Sequence, residues 1–254
     1  MLNVDLTGKT ALITGATGQL GRVMARTFAE CGANIIIHYH GNEGKANELK
    51  QEIESIGRRS MIVQADVTQF VDIMSMKDRV LEHFDTVDII VANAVIQYEW
   101  KSILEQPIED YTSQVDSCVM QSVYLAKAFV PSMIDRKNGR FIGINSECSM
   151  QNAPGQSAYV AGKRGMDGVY RVLAKEIGEH QITVNQIAPG WTISENDRLN
   201  NTEISEGYSQ TVPLRRRGSD QEIANVVAFI ASDLASFITG AYIPVNGGNV
   251  MPAI

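Results

Sequence analysis

Two side chains set the first chemical expectation. Tyr159 and Lys163 stand four residues apart in Tyr159-Val-Ala-Gly-Lys163. On a helix that spacing puts both on one face, where the ammonium stabilises a phenolate and suits the tyrosine to exchange a proton with an alcohol or carbonyl oxygen. Tyrosine and lysine are common enough that the pair needs context. Ser146 supplies it, thirteen residues upstream at the end of the apolar run Phe141–Asn145. Its hydroxyl is placed to polarise the oxygen that Tyr159 protonates. Read singly, Ser146 is a turn serine and Lys163 a solvated helix lysine.

A second constellation lies near the N-terminus. Thr14-Gly15-Ala16-Thr17-Gly18-Gln19-Leu20-Gly21 follows a short apolar strand and opens a helical pattern. Glycines there permit a tight turn and let backbone N–H groups approach a pyrophosphate, while the helix N-terminus adds partial positive charge. The segment after the second strand reads His38-Tyr39-His40-Gly41-Asn42 and holds no acid. A carboxylate at that place holds the ribose hydroxyls of NAD and repels a 2′-phosphate. Its absence favours NADP(H) over NAD(H), with His38, Tyr39, His40 and Asn42 as candidate contacts and Gln19 beside them, although no arginine stands there to clamp the phosphate. The four histidines show no metal-ligand spacing, and no metal site is expected.

The elements that must position these groups follow from hydrophobic patterning. Thr10–Thr14, Asn34–His38, Ser60–Ala65, Val87–Ala92, Phe141–Asn145, Thr183–Ile187 and Ala241–Val245 read as strands, most of them continuously apolar. Helical patterns alternate with them, among them Gly21–Cys31, Glu43–Ile56, Tyr111–Met133 and Val160–Ile177. Apolar strands alternating with helices predict a parallel sheet covered on both faces, hence an α/β, Rossmann-type doubly wound fold. With 254 residues and no linker or repeat, a single domain spanning 1–254 is expected. A charge of −7 argues against nucleic acid as a partner, and no apolar run reaches the ~20 residues of a membrane helix. Met1–Lys9 carries no signal-like pattern, and Cys31, Cys118 and Cys148 are too few for a disulfide framework. A cytoplasmic location is expected.

Taken together, these motifs resemble the short-chain dehydrogenase/reductase family in its compact single-domain branch. The resemblance runs from about Leu6 to Val250 and rests on motifs in the family's order: the loop Thr14–Gly21, Asp66-Val67 after the third strand, Ala92-Asn93-Ala94 after the fourth, Ser146, Tyr159 with Lys163, Pro189-Gly190, and the tail from Phe237 to Gly248. It implies that Asp66 and Val67 touch adenine, and that Asn93, Ala94, Pro189, Gly190 and Thr192 join Gly15, Thr17, Gly18, Gln19, Leu20 and Gly21 around the cofactor. It also implies that Tyr159 is the acid/base, that Lys163 lowers its pKa and holds the nicotinamide ribose, and that Ser146 positions the substrate oxygen. The chain departs from the family at Val95, where glycine is usual, and at Cys118, where the family carries an asparagine that supports a proton relay to the lysine. Cys118 reads as a small buried residue.

Trp191–Val212 is polar and irregular and reads as a mobile substrate lid. Gln97, Glu147, Gln151, Asn152 and Trp191 are candidate pocket residues, and their polarity suggests a sugar or polyol. Arg215–Arg217 reads as three solvated charges. The expected function is an NAD(P)-dependent oxidoreductase acting on a small alcohol or carbonyl compound. The alternatives are a 3-oxoacyl-carrier-protein reductase and, from another class, a catalytically weak dinucleotide-binding sensor. Tyr111–Met133 and Val160–Ile177 carry more apolar surface than one sheet face needs, and the family pairs these helices between subunits, which implies a homotetramer or homodimer.

Overall fold

The computed structural model describes residues 3–252. The chain runs β1 (Thr10–Ile13), α1 (Gln19–Glu30), β2 (Asn34–Tyr39), α2 (Glu43–Ser55), β3 (Ser60–Gln64), α3 (Phe70–Leu81) and β4 (Ile89–Ala92). It continues through α4 (Ile108–Gln114), a π-helical stretch (Val115–Met120), α5 (Gln121–Arg136), β5 (Gly139–Ile144), α6 (Cys148–Gln151), α7 (Ser157–Ile177) and β6 (Ile182–Pro189). It closes with β7 (Thr192–Ile193), α8 (Glu195–Leu199), α9 (Glu206–Thr211), β8 (Gly218–Ser219), α10 (Asp220–Ala231) and β9 (Tyr242–Val245).

Strand sequence explains the layering. Successive side chains on a strand point to opposite faces, so an unbroken apolar run feeds two cores at once. In β2, Ile35 and Ile37 enter the core beneath α1, α2 and α10, with Phe28, Leu49 and Val227. Ile36 enters the other, beneath α3, α5 and α7, with Ile73, Phe129 and Tyr170. Leu12, Ile90 and Phe141 join Ile36 on that second face, while their strand neighbours Ile13, Ile89 and Ile142 face the first. Each such fully buried side chain contributes about 1.5–3 kcal/mol.

The seven main strands are all parallel, in the order β3-β2-β1-β4-β5-β6-β9. The order reverses between β1 and β4, and that reversal opens a crevice beyond the strands' C-terminal ends. All seven strands expected from the sequence form this sheet. The stretch expected as one amphipathic helix, Tyr111–Met133, lies within a continuous helical run from α4 to α5 whose middle is π-helical.

The segment Trp191–Val212 differs from the irregular loop expected. It contains β7, α8 and α9, and β7 pairs in parallel with β8. α8 starts in a capping box, with Ser194 Oγ accepting from Asp197 N at 3.1 Å and Asp197 Oδ2 accepting from Ser194 N at 2.8 Å. Arg217, expected to be solvated, is the buried tie of this region. Its guanidinium donates to Asp197 Oδ1 and Oδ2 (3.2 and 3.1 Å) and to the carbonyls of Thr192 and Thr202 (2.9 Å each), and it stacks on the Trp191 ring at 4.5 Å. Arg216 pairs with Glu222 at the surface, and Arg215 donates to the Gln210 carbonyl. Arg22–Glu195 and Arg198–Asp220 add two further ties, to α1 and α10.

Candidate functional site

The glycine loop sits at the β1/β4 reversal, held by atoms from three strands. Gly15 has φ +61°, and a Cβ there would stand 3.0 Å from the Ala94 Cα. A Cβ on Gly21 would stand 2.3 Å from the Gly15 carbonyl, so the loop and the first turn of α1 close only around glycine. Thr14 is the hub: its Oγ1 accepts from Asn93 N (2.9 Å) and Ala94 N (3.1 Å) and donates to Gln121 Oε1 (2.6 Å). Asn93 Nδ2 donates to Thr14 O at 2.9 Å. Gln121 also donates to the carbonyls of Ala94 (2.8 Å) and Ser117. This buried glutamine was missed in the sequence, since a polar residue on a helix declares no partner 107 positions away.

His38 lines the cleft and also braces the loop. Its Nδ1 accepts from Gly15 N at 3.0 Å, which leaves Nε2 as the protonated nitrogen that donates to Ala65 O at 3.0 Å. Burial pushes its pKa down to about 4, so the ring is a neutral brace between loop and β3. Tyr39 is corrected: its side chain packs in the core beneath α1 and α2. His40 and Asn42 do face the cleft. Asn42 Oδ1 accepts from Lys45 N at 2.9 Å, capping α2. Asp66 takes two hydrogen bonds from Thr68; burial pushes its carboxyl up, but those bonds outweigh it and the net direction is downward. A cleft of about 750 Å³ is lined by the loop residues Gly15, Thr17, Gly18, Gln19, Leu20 and Gly21, by His40 and Asn42, by Asp66 and Val67, and by Asn93, Ala94, Ile96 and Gln97. Its size, its glycine cradle and the N-terminus of α1 fit a dinucleotide.

The second constellation adjoins the first. β5 ends at Ile144, and Ser146 follows two residues later on the same crevice. α7 carries Tyr159 and Lys163 on one face and packs close: a Cβ on Gly162 would stand 2.7 Å from the Gln114 carbonyl. Lys163 Nζ donates to Ile144 O at 2.6 Å and lies 5.6 Å from the Tyr159 ring centroid. Burial alone would lower the Lys163 ammonium; Cys118 and Tyr159 beside it outweigh burial, and the net direction is upward. Burial pushes the Tyr159 hydroxyl up, opposed by Lys163 and by a hydrogen bond with Ser146. Cys118 is buried in the π-helical stretch with its thiol against Lys163. Tyr98, not foreseen, accepts from Tyr159 N at 2.6 Å and so satisfies a free N–H in the first turn of α7.

Ser146, Tyr159 and Tyr98 border a cavity of about 480 Å³ that shares Ile96 and Gln97 with the dinucleotide-sized cleft, while the buried Lys163 and Cys118 line neither space. Ser146, Tyr159, Glu147, Gln151, Gly190, Trp191 and Thr192 line it, together with Tyr98, Trp100, Cys148, Gln156 and Tyr208. Pro189 is buried and lines neither space; its carbonyl accepts from Glu147 N at 2.9 Å. Asn152 is exposed and also outside both. Tyr208, from α9, closes the cavity by donating to Glu147 Oε1 at 2.8 Å and accepting from Trp191 N at 2.9 Å.

A doubly wound sheet with a glycine-cradled cleft at its reversal, opening beside a serine, tyrosine and lysine, defines a nicotinamide-dependent oxidoreductase of Rossmann type. A sequence model described as enoyl-(acyl carrier protein) reductase matches residues 15–249. The 3-oxoacyl-(acyl-carrier-protein) reductase FabG of Staphylococcus epidermidis is 34% identical, covering 96% of this chain and 99% of its own. The FabG of Rickettsia conorii is also 34% identical, covering 98% and 99%. Among solved structures, LugOII, described as a promiscuous reductase catalysing keto-reduction at C1 during lugdunomycin biosynthesis, superposes with a TM-score of 0.89 at 31% identity, covering 97% of this chain and 99% of LugOII. The chain belongs to the short-chain dehydrogenase/reductase family. These relatives support the 3-oxoacyl alternative better than the sugar or polyol expected from pocket polarity. No helix among the described residues is long and apolar enough to cross a membrane.

Proposed function

We propose that the protein is an NADP(H)-dependent ketone reductase, with 3-oxoacyl thioesters, the class named for its FabG relatives, as the first substrates to test. The observation that carries this reading is that Ser146 and Tyr159 line a substrate-sized cavity adjoining the dinucleotide-sized cleft, with the buried Lys163 ammonium 5.6 Å from the Tyr159 ring centroid. Bound nicotinamide supplies the hydride. Ser146 Oγ, with Cys148 N–H donating to it at 3.2 Å, orients the substrate oxygen. Tyr159 gives that oxygen its proton, and in the reverse direction receives it. Lys163 opposes the effect of burial on Tyr159 and favours its phenolate, easing the proton's departure. Gly15, Thr17, Gly18, Gln19, Leu20 and Gly21 hold the pyrophosphate side, Asp66, Val67 and Ala94 the adenine side, and Asn93 fixes the loop's shape. The preference for NADP(H) rests on the missing acid after β2 and on His40 and Asn42, which face the cleft. The segment 191–212 acts as the substrate lid. The exposed apolar groove between α5 and α7, with Val172 in it, supports a homo-oligomer built on that face.

Removing the Tyr159 hydroxyl tests the mechanism. Tyr159→Phe is expected to lower kcat about 10²–10⁴-fold, followed by loss of reduced-nicotinamide absorbance, while NADPH binding stays intact. Retained turnover would refute the assignment.

A further inference from the structure

Glu147 is the one acidic side chain, among the described residues, that lines the 480 Å³ cavity. It is 4% exposed and follows Ser146 directly. Its Oε1 accepts from Tyr208 OH at 2.8 Å and its Oε2 from Asn249 Nδ2 at 3.0 Å. Both donors are neutral. Among the described residues no Lys, Arg or His nitrogen lies within ion-pair distance of it; Arg217, on the Trp191 ring, is paired with Asp197. A buried carboxylate answered only by neutral donors keeps much of its desolvation cost, which a cation beside it offsets. The rest of the wall suits a cation. Tyr98, Trp100, Tyr159, Trp191 and Tyr208 line the same space, and aromatic faces attract positive charge. Gln156, in that wall too, has an Oε1 with no donor.

We propose that this cavity selects ketones bearing a positively charged nitrogen a few atoms from the carbonyl, and that Glu147 sets the preference. The inference rests on the ketone-reductase reading and sets cationic ketones against 3-oxoacyl thioesters as the substrate class. The reduction is unchanged: hydride to the carbonyl carbon, proton from Tyr159 to the oxygen.

The chain's only two tryptophans, Trp100 and Trp191, both line the cavity, so intrinsic fluorescence reports on it directly. The experiment titrates the full chain, saturated with NADP⁺, with acetonyltrimethylammonium and with its uncharged isostere, methyl neopentyl ketone. Dihydroxyacetone serves as a neutral ketone rich in hydrogen-bond donors, and the N-acetylcysteamine thioester of acetoacetate as a neutral 3-oxoacyl compound. The cationic ketone is expected to bind about tenfold tighter than its isostere, a ratio that Glu147→Gln brings to within about twofold. Tyr208→Phe, which removes a hydrogen bond to Glu147 but not the charge, is expected to retain the preference. Equal binding of the isosteres to the wild type overturns the proposal, as does tighter binding of either neutral control. So does an unchanged ratio in a folded Glu147→Gln protein. If that variant does not fold, loss of the preference in Tyr208→Phe counts against Glu147's charge as its source. Turnover is scored separately: if no ketone consumes NADPH, the reductase reading fails, while the charge preference stands or falls on binding alone.

Discussion

At the scale of single residues, the chemistry depends on side chains whose roles are set by what surrounds them. His38 lines the cleft, and both its ring nitrogens are engaged while the ring is buried neutral. That placement has a consequence for stability. The folded pKa is about 4 against an ordinary 6.5, so between those values the unfolded chain binds the proton and the native one does not. The stabilisation is therefore complete above pH 6.5 and is lost as pH falls toward 4, by about 3 kcal/mol in all. Urea melts across this window are expected to show that loss in the wild type and a flatter profile in His38→Asn. Cys118 is the other residue whose neighbours decide its meaning. Its thiol lies against Lys163, where a carboxamide would make stronger hydrogen bonds. Cys118→Asn is expected to raise kcat a few-fold or move the pH profile of reduction; an unchanged kcat and profile would show that proton delivery does not pass through this position.

Elements act through the ties between them. Segment 191–212, proposed above as the substrate lid, consists of short helices and a paired strand tied down by the buried Arg217 and two further ion pairs, rather than a free loop. Breaking a buried pair by removing one partner leaves the other without compensation, at a cost of about 3–5 kcal/mol. Arg217→Met should therefore lower the melting temperature and raise KM about tenfold while leaving NADPH affinity near its wild-type value, because the ties all lie on the substrate side. Arg217→Lys is not expected to rescue it, since an ammonium cannot make the bidentate bond to Asp197 and stack on Trp191 together. A KM unchanged in both variants would count against a lid role for 191–212. The glycine loop shows the same logic in reverse. Its shape is held by hydrogen bonds among Thr14 after β1, Asn93 after β4 and Gln121 of α5.

On the scale of the whole molecule, acidic residues outnumber basic ones, 29 to 22, in a protein whose family uses a polyanionic cofactor. On the proposed reading, the N-terminus of α1 and the loop amides supply locally the positive potential that the net charge of −7 does not. An apolar groove lies exposed between α5 and α7. Val172 is 56% exposed on α7, beside the groove with α5. Val172→Asp is expected to shift the sedimentation coefficient toward a smaller species. A wild type already monomeric at micromolar concentration would remove the oligomer reading.

By itself the sequence determined the seven strands, their parallel arrangement and the glycine loop, because these are written in local periodicity and short spacings, while Ser146, Tyr159 and Lys163 stood out as a set only through the family resemblance. A strand's apolar run and a helix's four-residue repeat report burial without any knowledge of the partner. Only the tertiary structure decided that Arg217 is a buried tie, that His38 braces the glycine loop, and that Tyr39 belongs to the core. It alone brought Glu147 to Tyr208 and Asn249, which stand 61 and 102 positions away in the chain. The physical reason is that a polar side chain's role depends on which distant donor or acceptor meets it after burial, and residue type and neighbours in sequence carry no record of that meeting.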